Sequence, residues 1–419
     1  MIPAVYRTLL RDRRTRRLLA GLGVSSLGDG MSTVTIAWLA VKVAPPGALG
    51  VYVGLALAAY TLPGVIGALA FSPFVRQRPA RALVLVHCVL RAAFLGAIAL
   101  LWSLGALAPL AYVFLLAGSS LMFAWGNAGE YTMLSELGGP DGRLAVNSLA
   151  TAQVSFAVII GPAIAGPLIA GVGPGWLVAV DAASFAFLGI QAWRTHAAAS
   201  ATRQPVDTSA AESGFRLLLR RRDLLALTAV TWLFFFLYGP VEAALPVYVA
   251  HDLRADATLL GAYWAAFGVG ALAATLIAGT FRGHNVRPIT LWIVAGWGAC
   301  LIPFGFAPVG VTLVCFALGG LIYGPFVPLT YSLFQSATTT ANLPAVLAAR
   351  SALVMLASPL GTAIGGPLVG VLGGSHTLAA SGIATVVLAI AASFVWTRDR
   401  EGAPDPSDDE RRHLDAQRT

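Results

Sequence analysis

The sequence predicts an all-α integral membrane protein, with twelve transmembrane helices in two pseudo-symmetric six-helix bundles. Three observations carry that expectation. Hydrophobic residues make up 57% of the 419-residue chain and charged residues only 11%, whereas a water-soluble domain has a charged fraction of roughly a quarter. Twelve apolar runs are long enough to cross about 30 Å of hydrocarbon: 18–42, 49–75, 81–103, 108–133, 144–171, 175–193, 223–249, 257–281, 288–306, 309–334, 345–372 and 376–397. The third observation is a repeat. Gly161-Pro162-Ala163-Ile164-Ala165-Gly166-Pro167 is echoed 200 positions later by Gly361-Thr362-Ala363-Ile364-Gly365-Gly366-Pro367.

The same offset aligns Tyr131 with Tyr331, Ala145-Val146 with Ala345-Val346, Val154 with Val354, Ala157 with Ala357, Leu168 with Leu368 and Gly173 with Gly373. A period of this length exceeds that of solenoid units, and it makes the repeat half the protein. Both copies carry a small residue at every fourth position, Ala157, Gly161, Ala165 and Ala357, Gly361, Gly365. Such rows let helix backbones approach closely in lipid. They fit either plain packing seams or the meeting of two repeated halves around a central site, the latter expected here with Gly161, Pro162, Gly166, Gly361 and Gly365 in packing or gating roles.

In chain order, residues 1–17 form a basic N-terminus, 18–193 a first bundle, 194–222 a linker, 223–397 a second bundle and 398–419 a tail. With both termini cytoplasmic, 24 of the 27 basic residues fall inside, leaving Lys42 and Arg254 outside and Arg91 at depth; the positive-inside rule then sets the orientation. Gly171 to Gly175 and Ala307-Pro308 are so short that the helices they join run antiparallel. Ala197 to Gly214 is small and polar, as a flexible linker is. Phe215 to Arg222 reads as a basic amphipathic stretch on the inner leaflet, and the polar tail from Arg398 as disordered.

Composition also excludes functions. The formal charge of +8 is not gathered on a soluble module, so nucleic acid is not an expected partner. Cys88, Cys300 and Cys315 lie in apolar runs, without disulfide or metal spacing. The single lysine, Lys42, lies between Val41 and Val43 and belongs to no phosphate-binding loop. His87, His196, His251, His284, His376 and His413 are scattered in separate segments, so neither a metal centre nor an enzyme active site is expected. The chain is expected to need no cofactor and to act as a monomer in the bilayer.

Further segments resemble a known family. Ser25-Ser26-Leu27-Gly28-Asp29-Gly30, Leu134-Ser135-Glu136-Leu137, Asn147-Ser148-Leu149 and Asp181-Ala182-Ala183-Ser184-Phe185 are similar to segments of the major facilitator superfamily, in the branch that exports siderophores and macrolides. The resemblance spans essentially the whole chain. Gly161-Pro162 with Gly166 resembles the superfamily's antiporter motif, with Ala157 and Pro167 standing where glycines are usual. The loop Gly67 to Arg76 lacks the aspartate of the superfamily's cytoplasmic signature while Arg76, Arg78 and Arg81 keep its basic end, and the corresponding Gly279-Thr280-Phe281-Arg282 lacks the aspartate as well.

The resemblance implies a secondary transporter of the bacterial inner membrane, here a proton-coupled exporter of amphipathic organic compounds, with a facilitator or importer of the same fold as the alternative. It also implies a cavity lined by helices one, four, seven and ten. Each of these carries a polar or aromatic stripe: Ser25, Asp29, Ser32 and Thr33; Ser120, Phe123, Asn127 and Tyr131; Thr231, Trp232, Phe235, Tyr238 and Glu242; Tyr323, Phe326 and Thr330. Such a wall suits amphipathic, partly aromatic molecules.

Ionisable groups at membrane depth are functional candidates by default, and Asp29, Glu130, Asp181 and Glu242 qualify. Asp29 lies about 16 Å along its helix from Leu18 and Arg91 about 14 Å from Ala82, so the two match in depth. Their pairing can be structural or proton-coupling. His87 lies one turn before Arg91 on the same face. Glu130 is expected nearer the cytoplasm, and Asp181 and Glu242 nearer the outside.

Overall fold

The computed structural model describes residues 4–71, 78–195, 208–277, 286–339 and 342–401, which are helical with no strand among them. Ala4–Arg11 (α1) leads into Arg13–Val43 (α2). The Asp12 carboxylate fixes the start of α2 by accepting from Thr15 N at 2.8 Å and Thr15 Oγ1 at 2.6 Å, which satisfies one of the open N–H groups of a first turn. There follow Leu49–Ala70 (α3), Ala80–Ser103 (α4), Pro109–Ser120 (α5), Phe123–Val172 (α6, two helical arms joined at a kink at Gly139), Pro174–Arg194 (α7), Thr208–Arg220 (α8) and Arg222–Val247 (α9). The chain continues as Ala257–Ile277 (α10), Val286–Leu301 (α11), Val309–Tyr323 (α12), Phe326–Ser336 (α13) and Leu343–Glu401 (α14, two helical arms joined at a kink at Gly373).

Ten helical stretches among the described residues are long and apolar enough to cross a membrane. Arg13–Val43 is not one of them, because its basic start and its serines, glycines and Asp29 dilute its apolar character. Two expected spans are interrupted. The run 108–133 breaks between Ser120 and Phe123, and the run 309–334 between Tyr323 and Phe326, at Gly324-Pro325. Gly173 and Gly373, 200 residues apart, have φ of +89° and +79°. That left-handed backbone is open to glycine without a Cβ clash, so the repeat reproduces a turn as well as a packing row.

Helix α2 packs on α6 and α7, α4 packs on α6 and α7, and α3 packs on α5. In the second part of the chain α9 and α11 pack on α14, and α10 packs on α12. The two sets meet mainly where α3 touches α14 and α6 touches α10.

Two of the basic segments expected on the inner side are packed against protein. In the stretch 215–222, Leu218, 2% exposed, packs with Leu224, Leu227, Phe334, Val346 and Ala349. The apolar face of α8 is thus spent on the protein, although Leu219 stays exposed. Arg350, counted above with the inner-side charges, is 3% exposed, its guanidinium 4.4 Å from the Tyr331 ring centroid and 5.4 Å from that of Phe334. The segments 196–207 and 402–419, and the loop residues 72–77 and 278–285 with Arg76 and Gly279-Thr280-Phe281-Arg282, lie outside the described residues.

Candidate functional site

A cavity of about 430 Å³ lies between the two sets of helices. Leu22, Ser25, Ser26, Asp29, Gly30 and Thr33 of α2 border it, as do Tyr60, Thr61, Gly64 and Val65 of α3, and His87 and Arg91 of α4. Helix α6 supplies Phe123, Asn127, Glu130, Val154 and Val158, α7 supplies Phe185, α9 supplies Glu242, and α14 supplies Met355, Ser358 and Pro359.

One end of this cavity is closed by backbone. Gly54 of α3 lies so close to α14 that a Cβ there would stand 2.7 Å from Gly366 Cα and 2.9 Å from Thr362 O. On the other side a Cβ on Gly166 of α6 would stand 2.7 Å from Ala257 O of α10. In the second arm of α6, Val154 and Val158 come before Gly166, in α14 Met355 and Ser358 come before Gly366, and in the opposed α3 the lining residues come after Gly54. Cavity and seal are therefore stacked along the bundle axis, with the cavity on the side where α2 begins.

The charges at the cavity are built around Arg91, 1% exposed. Its Nη2 lies 3.3 Å from Asp29 Oδ1, and its guanidinium carbon lies 4.5, 5.4 and 4.9 Å from the ring centroids of Tyr60, Phe123 and Phe185. A guanidinium is the most weakly hydrated cation a protein has, and it stacks on aromatic faces. Tyr60 also donates its hydroxyl to Asp29 Oδ1 at 2.7 Å. Among the described residues Arg91 Nε and Nη1 and His87 Nδ1 are buried with no hydrogen-bond partner. His87 touches Phe123 and Phe185 edge-on, at 6.0 and 5.4 Å between centroids.

The other acids divide. Asp181 is fully buried behind the wall, accepting from Ser32 Oγ at 2.5 Å and Ser184 Oγ at 3.2 Å. Glu130 and Glu242 border the same cavity as Asp29. Glu242 Oε2 accepts from Ser358 Oγ at 2.9 Å and from Thr362 Oγ1 at 3.0 Å.

Of the expected wall, Ser25, Asp29, Thr33, Phe123, Asn127 and Glu242 border the cavity, and ten residues do not. Ser32 faces Asp181, and Ser120 is buried with its hydroxyl 3.0 Å from Ala59 O. Thr231 and Thr330 bond within their own helices, to Leu227 O at 2.8 Å and Val327 O at 2.9 Å. Tyr131 packs against the hydrophobic core, and Trp232 stacks on Phe236 at 5.1 Å. Phe235, Tyr238, Tyr323 and Phe326 form part of a continuous aromatic interior. Phe235 lies 5.9 Å from Phe326, and Tyr238 lies 5.8 Å from Trp297 and 5.9 Å from Tyr323. Trp264, Phe267 and Phe316 complete that cluster. The stripes of helices seven and ten are turned toward other helices of their own half, where ring burial and edge-to-face contact stabilise them.

Gly161 and Gly361 also require correction. Each packs within its own set of helices: Gly161 on Gly30 and Met31 of α2, Gly361 on Phe236 and Gly239 of α9. Gly365 meets Pro240, and Pro162 meets Gly261 of α10 through its carbonyl. It is Gly166 and Gly366, five residues further on and on another face of the helix, that meet the opposite set.

Residues 18–280 and 230–418 match the Major Facilitator Superfamily. The chain belongs to that superfamily. Among its relatives, an uncharacterized MFS-type transporter, y4rN, of Sinorhizobium fredii is 29% identical over 328 residues, covering 74% of this chain and 77% of its own. The multidrug efflux pump Tap of Mycolicibacterium fortuitum is 26% identical over 383 residues, covering 88% and 92%. In fold the chain is similar to the nucleoside transporter NupG, with a TM-score of 0.72 at 13% identity over 92% of this chain and 99% of that one. It is also similar to a bacterial homolog of the human lysosomal transporter Spinster, with a TM-score of 0.66 at 11% identity over 91% and 96%. As a superfamily member, the chain is a multi-pass membrane transporter and not an enzyme.

Proposed function

We propose that this transporter exports amphipathic organic compounds across the bacterial plasma membrane in exchange for protons, with both termini cytoplasmic, as a monomer of twelve membrane helices in two halves. The observation that carries the reading is the cavity, whose largely apolar wall is interrupted by Asp29, Glu130, Glu242 and Arg91. An apolar wall accepts a hydrophobic body, and a few polar groups orient it. Carboxyls at depth are the groups that proton-driven transporters load and unload. The similarity to pumps named for multidrug efflux supports the direction and substrate breadth.

In this reading the present conformation is open to the cytoplasm, and the glycine seal closes the outside. Compound enters from the cytoplasmic side and the sets of helices rock about the cavity. After release outside, a proton taken up by Asp29 returns inward as its contact with Arg91 loosens and re-forms.

The test is accumulation of a fluorescent dye in everted vesicles carrying the protein. A lumen made acidic should drive dye inward, and collapsing the pH gradient should release it. Equilibration that ignores the gradient overturns proton-coupled export in favour of a facilitator.

A further inference from the structure

Asp29 and Glu242 face one cavity and each takes its two contacts on a single oxygen, but only Asp29 has a cation among its partners. Asp29 Oδ1 is already taken by the Tyr60 hydroxyl and by Arg91. Glu242 receives both of its hydrogen bonds, from Ser358 and Thr362, on Oε2 alone. Its Oε1 takes no hydrogen bond and no ion pair among the described residues, and it is not sealed inside protein. The carboxylate is thus held at one oxygen by two hydroxyls one turn apart on α14, with the other presented to the cavity.

The surroundings favour a positive partner for that oxygen. Among the described residues three carboxylates and one guanidinium border the cavity, and that guanidinium reaches Asp29 through Nη2 while its Nε and Nη1 stay buried within the aromatic box. No basic side chain of the second set of helices lines it. Met355 and Pro359, near Ser358 in sequence on α14, and Val158 of α6 border the same cavity, and such apolar lining suits the apolar part of a ligand whose charge ends at the acid.

We propose that Glu242 anchors a cationic nitrogen of the transported compound, which makes organic cations the substrate class of this cavity. The word transported rests on the export reading above; the binding does not. A charge-assisted contact of this kind is worth about 10- to 100-fold in affinity.

Ethidium and its uncharged reduced form dihydroethidium share one skeleton and differ in charge, so they serve as the probes. Binding to purified protein in lipid nanodiscs, with no gradient, should favour ethidium by at least about tenfold. Glu242→Gln should remove that preference while dihydroethidium still binds within about twofold, which also reports an intact cavity, and Glu242→Asp should keep part of the preference. The proposal is overturned if the wild type shows no preference, if Glu242→Gln keeps it, or if Glu242→Gln weakens both ligands equally. Glu242-dependent preference in a protein that moves no dye under a pH gradient would sink export and leave this inference standing. Gradient-driven export without the preference would do the reverse.

Discussion

Tyr60 donates its hydroxyl to Asp29 Oδ1 at 2.7 Å, the same oxygen that Arg91 reaches at 3.3 Å. Its ring also lies 4.5 Å from the guanidinium carbon, so one side chain of α3 tends both members of the pair. Tyr60→Phe keeps the ring and removes the donor. A hydrogen bond to a charged group contributes about 1.5–3 kcal/mol, so dye export should slow by roughly tenfold with expression unchanged, and Tyr60→Ala should be worse. Equal rates for Tyr60→Phe and wild type would reduce the hydroxyl to packing.

Asp29→Asn keeps the hydrogen-bonding shape and removes the proton site. Gradient-driven export should be lost, while exchange of labelled for unlabelled dye across vesicles without a gradient persists. Arg91→Ala leaves Asp29 without its cation at membrane depth and should lower the yield of folded protein. Normal gradient-driven export by Asp29→Asn would move coupling to Glu130, Asp181 or Glu242.

Leucine at Gly54, Gly166 or Gly366 should wedge the seal open, because the atoms it would displace are backbone of the opposing helix. On a cysteine-free background, a cysteine placed just inside the seal should then react faster with a thiol reagent added outside. Leucine at Gly161 or Gly361, which pack within one set of helices, should instead reduce folded yield. Faster labelling in Gly161→Leu with normal yield would contradict this division.

Trp297, 1% exposed, is surrounded by Tyr238, Phe267, Phe316 and Tyr323. Trp297→Ala should destabilise the protein by about 3–5 kcal/mol, seen as earlier thermal unfolding in detergent, with the ethidium preference intact. Loss of that preference in a stable variant would mean the aromatic interior is part of the binding wall after all.

A reporter active only in the cytoplasm should work when fused after Thr195 or at Thr419, and one active only outside should work near Asp252. Reversed activity at Thr195 would contradict the proposed two-half arrangement.

The pairing of Asp29 with Arg91 is legible in the sequence, because helical rise turns distance from a basic boundary into depth. Tyr60 is not, since nothing in an apolar run says which neighbouring helix its hydroxyl will meet. The aromatic stripes are legible as stripes. Periodicity gives the face of a helix but not what that face meets, and Tyr238 and Tyr323 turned out to meet Trp297 and each other. Glu242 is visible as an acid at depth, yet its hold by Ser358 needs a register between helices 116 residues apart. The glycine rows show a similar limit: the spacing finds Gly161, but only the packing separates its partner Gly30 from Gly261, the partner of Gly166.

The seal between α3 and α14 and between α6 and α10 is made of main chain against main chain, at Gly54, Gly366, Gly166 and Gly261. Contacts of that kind rest on dispersion and weak C–H···O interactions and place no ion pair across the junction. Ionic strength therefore has little purchase on its parting, since screening acts on charges and not on close-packed backbone. A dye exporter closed in this way should switch as readily in brine as in dilute buffer, with salt sensitivity confined to what the cavity binds.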